Sequence, residues 1–387
     1  MSLVSKIQSA WNGPALLVRV KGKEYRLGEG EAHTTVTIHN PAVLRRATLS
    51  PSLAFGEAYM DGDIEVDGEL QDMLHGFHAS QNMTVGWTKA LQLVHNKLKT
   101  PVRSAVANAQ HHYDIGNEFY EMWLDSSQTY SCAYFDTGNE TLDEAQLAKR
   151  DIICRKLRLE PGQTLVDIGC GWGGLILHAA KHYGVTATGI TPAKEQAAYV
   201  LAEAKRQGLL DKINVINDDW RSLSGTYDRV VSVGMFEHVG QRHYIEFMKK
   251  WRSLLVDDGV SLLHTISRAS AGKPQDPWIR KYIFPGGYLP MLEQVVSVGR
   301  MAGLRDYRVE NWRPHYAKTL QQWSRGFLEH REEVVDMFDE RFARMWWLYL
   351  QSSEAGFRWG GLGLLQLEFY GPQAQIPLSR SLTESKL

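Results

Sequence analysis

From about residue 105 onward, short apolar runs alternate regularly with longer amphipathic stretches. Strand-length runs fall at Thr164–Ile168, 185–190, 213–217, Tyr227–Val233 and 259–266. Between them, 193–207 and 244–255 place their apolar residues at helical spacing. Runs of this length, bounded by turn residues and separated by helices, predict a mainly parallel sheet covered on both faces. Residues 308–309 and 364–369 read as a closing pair with a reversed last strand, completing a doubly wound α/β fold. In such a sheet a ligand sits at the carboxyl ends of the first and fourth strands, where the winding reverses. Residues 278–349 form an aromatic, helical excursion after the fifth strand, expected to build a substrate pocket.

The first 95 residues follow a different pattern, that of a small α+β domain. Val18-Arg-Val20 and Thr35-Val-Thr-Ile-His39 alternate like half-buried strands, and 56–68 is a turn-rich acidic stretch. A basic linker at 96–110 separates this domain from the larger α/β domain at 111–387. Between Lys89 and Arg103 the chain carries Lys89, Lys97, Lys99 and Arg103 with no acid among them, and Thr100-Pro101 breaks any helix. The run is either a solvated joint or a patch for an anionic membrane surface, worth about 1 kcal/mol per basic residue.

Composition narrows the choices. With 387 residues the chain is long enough for two domains, and a net charge of -1 argues against a nucleic-acid binder. Cys132, Cys154 and Cys170 have neither disulfide nor zinc spacing, so no metal is expected and a reducing cytoplasm fits. The N-terminus, interrupted by Lys6, does not read as a signal peptide. No run approaches the roughly 20 apolar residues that cross a bilayer. The protein is expected to be cytoplasmic, in solution or peripheral on the inner face of the membrane.

The chemistry starts at Gly169-Cys-Gly-Trp-Gly-Gly174, directly after the strand Leu165-Val-Asp-Ile168. Glycines are needed where a ligand lies against backbone at a strand end. No Lys-Ser/Thr pair follows to hold phosphates, and the spacing is G-x-G-x-G-G rather than the dinucleotide pattern. The loop resembles the first motif of class I S-adenosylmethionine methyltransferases.

Further segments, in order, resemble the cyclopropane-fatty-acid synthase family, which includes the mycolic-acid cyclopropane synthases. They are His111-His-Tyr-Asp-Ile-Gly-Asn117, Tyr130-Ser-Cys-Ala-Tyr-Phe135, Asp167-Ile-Gly-Cys-Gly-Trp-Gly173, Phe236-Glu-His-Val-Gly240, Leu262-Leu-His-Thr-Ile266 and His315-Tyr316. The resemblance spans about 105–372. It implies a class I methyltransferase sheet with a helical substrate-binding excursion. The implied reaction transfers a methylene from S-adenosylmethionine to a cis double bond in a phospholipid acyl chain. The N-terminal domain resembles the extra domain of the longer, phospholipid-acting members, where it takes part in pairing, so a homodimer is expected.

By the same resemblance, Tyr130 and Ser131 lie near the methionine portion of the cofactor, and Gly169, Cys170 and Gly171 bring backbone to it. The side chains of Cys170 and Asp167 build the loop. Thr191 replaces the usual acid after the second strand, which leaves Gln196 for the ribose hydroxyls. Asp219 and Trp220 flank the adenine.

The reaction sets its own demands. An alkene needs no base before it attacks a sulfonium methyl, but the resulting cation must lose a proton to close a ring. The site should be dry and aromatic, with one weakly basic oxygen. In the family that oxygen belongs to bicarbonate, held by residues matching Glu237, His264 and Tyr316 and by backbone at Cys132 and Ile266. The bicarbonate O–H donates to Glu237, while His264 and Tyr316 donate to its other oxygens.

Singly, each residue has a plainer role: Glu237 as a helix-start residue, His264 as a core histidine. Their joint occurrence in matching motifs carries the assignment. Many members have a cysteine where Ser353 stands, so a nucleophilic cysteine is not required here. Three alternatives remain at this stage: a methyltransferase giving methyl- or methylene-branched lipid, one acting on a small soluble nucleophile, and a non-catalytic lipid binder.

Overall fold

The computed structural model describes residues 3–80, 115–269 and 275–376. The basic residues Lys89, Lys97, Lys99 and Arg103 and the motif residues 111–114 lie outside the described residues. The chain divides into two compact units. One comprises Met1–Pro101, Gly272–Pro285 and Leu320–Gly361; the other comprises Val102–Ala271, Gly286–Thr319 and Leu362–Leu387.

In the first unit, β1 (Leu16–Val20) and β2 (Lys23–Leu27) form an antiparallel hairpin. Its two-residue turn, Lys21-Gly22, has positive φ at both positions, the twist that favours tight hairpins. Strand β3 (Thr34–Ile38) lies parallel to β1, and β4 (Ile64–Asp67) pairs antiparallel with β3.

The expected turn-rich stretch 56–68 is largely something else. Residues Pro51–Met60 form a helix, opened by a proline in its first turn, and β4 follows shortly after. Gly56 misled the reading because it serves a close approach and not a turn. A Cβ there would come within 2.2 Å of the Trp278 ring.

That contact also redraws the excursion 278–349. Helices Pro277–Tyr282 and Glu340–Arg358 pack on the N-terminal helices Pro51–Met60 and Leu70–Ala79. Buried Gln351 ties the long helix down, accepting from Gln71 Nε2 at 2.9 Å and donating to Ser324 Oγ at 3.0 Å. A sheet this small has little apolar surface of its own, and these aromatic helices supply the rest of its core. The compact unit is thus assembled from three chain segments, unlike the contiguous 1–95 domain expected above.

The second unit holds a seven-stranded sheet in the order β10-β11-β9-β8-β5-β6-β7. Its strands are β5 (Thr164–Ile168), β6 (Thr186–Ile190), β7 (Ile213–Ile216), β8 (Tyr227–Val233), β9 (Leu255–Arg268), β10 (Arg305–Asn311) and β11 (Leu362–Tyr370). Strand β11 runs antiparallel to both of its neighbours, and the other neighbouring pairs are parallel. Alternate residues of central β5 feed opposite faces: Leu165 packs with Ile176 and Val200, while Val166 and Ile168 pack with Phe247 and Trp251.

The winding reverses between β5 and β8, as the sequence implied. Edge strand β10 is longer than the expected 308–309 because its polar residues, Arg305, Asp306, Arg308 and Glu310, hide it from hydrophobic patterning.

Candidate active site at the carboxyl ends of the sheet

The glycine loop leaves β5 with both Gly169 and Cys170 N–H groups donating to Ile190 O at 3.0 Å, which locks it to the end of β6. Gly169 has φ +90°, and a Cβ there would strike Met235 Cβ at 2.7 Å. At Gly171 the position of an added Cβ meets nothing within 4 Å, so the backbone is open to a ligand. Cys170 turns its sulfur inward over Gly189, in keeping with a loop-building side chain. Burial holds its thiol well above the ordinary range.

Beyond β6, buried Thr191 and Gln196 meet: the threonine hydroxyl donates to Gln196 Oε1 at 2.7 Å. The Gln196 amide nitrogen is therefore the end turned away from Thr191. After β7, Asp219 caps the short turn Trp220–Ser222 through Arg221 N and pairs with the Arg221 guanidinium at 2.9 Å. Trp220 packs edge-on against Phe247 and lies under the same guanidinium, 4.3 Å from its ring centre. Both side chains thus have partners within the protein: Arg221 for Asp219, and Arg221 and Phe247 for Trp220.

An aromatic group adjoins the glycine loop. Tyr130 lies 5.4 Å from Tyr120 and 5.6 Å from Trp123, and Tyr120 lies 5.2 Å from Trp172. Ser131 Oγ accepts from Lys149 Nζ at 2.8 Å.

Lys149 escaped the sequence reading because a lone lysine on a helix usually signals solvent. Here it is buried, and burial pulls its ammonium down to about 7. Burial likewise pushes Asp167 up to about 7, against the pull of Lys149, and Asp167 Oδ1 has no partner among the described residues.

The second cluster lies at the ends of β8 and β9. Glu237 opens the short helix Phe236–Val239 after β8, and its Oε1 accepts from Ile266 N at 2.6 Å. Burial pushes this carboxyl up to about 7 despite that N–H, and Oε2 has no partner among the described residues.

His264 is also buried, and its Nε2 is likewise unpartnered there. Burial first, then Lys149 and Lys156, hold its imidazole neutral. Around it stand Trp312, with ring centres 5.8 Å apart, then Tyr134 and His315, which stack at 4.5 Å.

Tyr316 is half-buried in the helix Arg313–Glu329. One turn on, Thr319 Oγ1 accepts from Ala133 N at 2.9 Å, and Phe135 N donates to His315 Nδ1 at 3.2 Å. These bonds hold the Cys132 segment beside the Tyr316 helix. Glu237 and Ile266 are thus brought together directly, His264 stands two residues before Ile266 on β9, and Cys132 and Tyr316 are joined through adjoining backbone. Sequence reasoning missed Gln366 and Lys156, whose only signal was polarity within buried, otherwise apolar surroundings.

A family model described as mycolic acid cyclopropane synthetase matches residues 100–367, and a domain of unknown function matches 5–88. A probable fatty acid methyltransferase of Pseudomonas putida is 32% identical over 96% of each chain. The cyclopropane-fatty-acyl-phospholipid synthase of Escherichia coli K12 is 34% identical over 88% of each chain. The cyclopropane synthase MmaA2 structure from Mycobacterium tuberculosis superposes with TM-score 0.66 at 35% identity, covering 71% of this chain and 99% of that one. A cyclopropane synthase complex with S-adenosylhomocysteine and CTAB matches at TM-score 0.66 and 36% identity, covering 70% and 99%. Coclaurine N-methyltransferase, at 20% identity and TM-score 0.63, shares the fold alone. The sheet order is that of a class I methyltransferase, and the chain belongs to the S-adenosylmethionine-dependent cyclopropane synthase family.

Proposed function

We propose that this protein converts cis-unsaturated acyl chains of membrane phospholipid into cyclopropane acyl chains. The observation that carries the reading is a pair of buried atoms without partners among the described residues, Glu237 Oε2 in the helix that follows β8 and His264 Nε2 on the adjacent strand β9. Buried polar atoms left without partners in a native site point to a ligand that satisfies them. A small anion with one donor and several acceptors suits an acid and a neutral imidazole donor, and bicarbonate has that chemistry.

S-adenosylmethionine, when bound, supplies an electrophilic methyl group. The open backbone at Gly171, the Thr191–Gln196 pair and the buried Lys149 and Asp167 suit its polar ends. The aromatic rings of Tyr120, Trp123, Tyr130 and Trp172 offer π faces toward a sulfonium.

Bicarbonate, when bound, supplies a weakly basic oxygen. Glu237, with its carboxyl near neutrality, shares a proton with such an anion so that two full negative charges do not face each other. Neutral His264 orients the anion by donation and does not compete as a nucleophile, since its lone pair at Nδ1 is engaged by Gln366. Trp312, Tyr134 and His315 give that side of the site rings that stabilise positive charge and exclude water.

Among the described residues no helix is long and apolar enough to cross a membrane. We assign docking on the cytoplasmic membrane surface to the basic run around 89–103, and pairing into a homodimer to the N-terminal unit.

The test incubates purified protein with S-adenosylmethionine, bicarbonate and vesicles of cis-monounsaturated phospholipid, followed by gas chromatography–mass spectrometry of the methyl esters. A product one CH2 heavier that resists mild hydrogenation supports ring closure. The Pseudomonas putida relative, named a probable fatty acid methyltransferase, favours a second outcome: the same gain of mass in a branched or reducible chain. No lipid product, with cofactor binding intact, would remove the lipid reading.

A further inference from the structure

A neutral imidazole carries one proton, and the nitrogen that holds it decides where the ring can donate. In His264 the tautomer is dictated from behind. His264, Gln366 and Glu310 stand side by side on β9, β11 and β10, in register across the sheet. Gln366 Nε2 is 3.0 Å from His264 Nδ1, and the other end of the Gln366 amide accepts from Lys156 Nζ. Lys156 is itself held by Glu310 Oε2 at 2.6 Å and lies 4.8 Å from the centre of the Trp312 ring.

An ammonium has donors only, so the Gln366 atom facing it must be the carbonyl oxygen. The amide NH2 is then turned to His264. Facing a donor, Nδ1 must accept, and the ring proton is left on Nε2.

We infer that Lys156 and Gln366 are positioning residues that set the tautomer of His264, making its unpartnered Nε2 a hydrogen-bond donor. They touch no reacting atom and act only through the imidazole. The consequence for turnover rests on the anion-binding reading above, in which His264 donates. The tautomer itself does not depend on that reading.

The arrangement explains why two polar side chains are buried in the reversed-strand region. Lys156 is 3% exposed and Gln366 1%, a costly placement unless each has a partner. It also gives β11 a role beyond closing the sheet, since its antiparallel register puts Gln366 beside His264.

The test is a long-range 15N–1H correlation spectrum of the full chain labelled at histidine, with the His264 signals assigned by their loss in His264→Asn. Wild type should show a neutral ring protonated at Nε2. Gln366→Glu keeps the shape but offers Nδ1 only acceptors, so the proton should move to Nδ1 or the ring should become doubly protonated. Lys156→Met frees the amide to turn over and should give a mixture of tautomers, whereas Lys156→Arg, again a donor-only cation, should restore the wild-type pattern.

Rates of lipid modification should fall roughly 10–100-fold in Gln366→Glu, the usual scale for a partner that orients a site imidazole. S-adenosylmethionine affinity should stay within a few fold. A wild-type ring protonated at Nδ1, or a Gln366→Glu spectrum unchanged from wild type, would overturn the inference. The wild-type measurement decides even where a variant does not fold. Bicarbonate-independent turnover would defeat the anion reading and leave the spectrum as it is, so the two failures are distinguishable.

Discussion

The two flanks of the seven-stranded sheet solve different problems with different materials. On the β5-β6-β7 side, the site is made of backbone and of residues close in sequence, such as the run 169–174 and the pair Thr191–Gln196. On the β8-β9-β11-β10 side, it is made of side chains distant in sequence: His264, Gln366 and Glu310, set side by side by strand register, and Lys156 and Glu237, brought to them from helices. The first flank suits a ligand whose binding energy comes from shape and backbone approach. The second places acid, imidazole and ammonium groups in a dry setting, where each must be oriented by another.

The largest effect should come from the second flank. His264→Ala or Glu237→Gln is expected to lower the rate of lipid modification about 100–1000-fold, the scale of losing one preorganised polar partner. Cofactor affinity, read by calorimetry, should change by no more than a few fold. An equal loss of affinity would erase the distinction between the flanks.

Next comes the backbone flank. Gly169→Val forces a branched side chain into φ +90° and against Met235. It should weaken S-adenosylmethionine binding about ten-fold or more and cost roughly 1–3 kcal/mol of stability. Unchanged affinity would mean that the loop does not hold the cofactor through its backbone.

A third prediction separates function from stability at Glu237. Burial disfavours its charge and pushes the carboxyl up to about 7, above its ordinary value of about 4.5. Its contribution to stability is therefore fully present below about pH 4.5 and is lost as pH rises through about 7. Glu237→Gln removes that loss and can keep the bond from Ile266 N. Denaturation at pH 5 and pH 8 should show the variant gaining on wild type with rising pH, by about 1–3 kcal/mol. A gap that narrows as pH rises would contradict a dry carboxyl.

The smallest effect is expected at Ser353, half-buried in the helix Glu340–Arg358. Ser353→Ala should leave the lipid rate within about two-fold, because a hydroxyl without an activating base is no nucleophile.

Much of the sheet was legible because central strands carry short apolar runs between helices, and Thr164–Ile168 and Tyr227–Val233 were bounded correctly from them. The glycine loop was legible for a related reason: residues that must sit together there are neighbours in the chain. Glu237 and His264 were reached only through resemblance, since in isolation each has an ordinary structural role. Edge strand β10 was shortened by its own polarity, and the helix at Pro51–Met60 was hidden by Gly56, whose partner Trp278 is far along the chain.

The sequence alone determined what depends on local periodicity and local backbone freedom: the alternating strands and helices, the reversal of winding and the open loop after β5. Only the tertiary structure decided which distant residues share a place. It joined three chain segments into the N-terminal unit and set Gln366 between His264 and Lys156. Register along a strand is invisible until its neighbours are known, and a buried polar side chain acquires its meaning from the group that satisfies it.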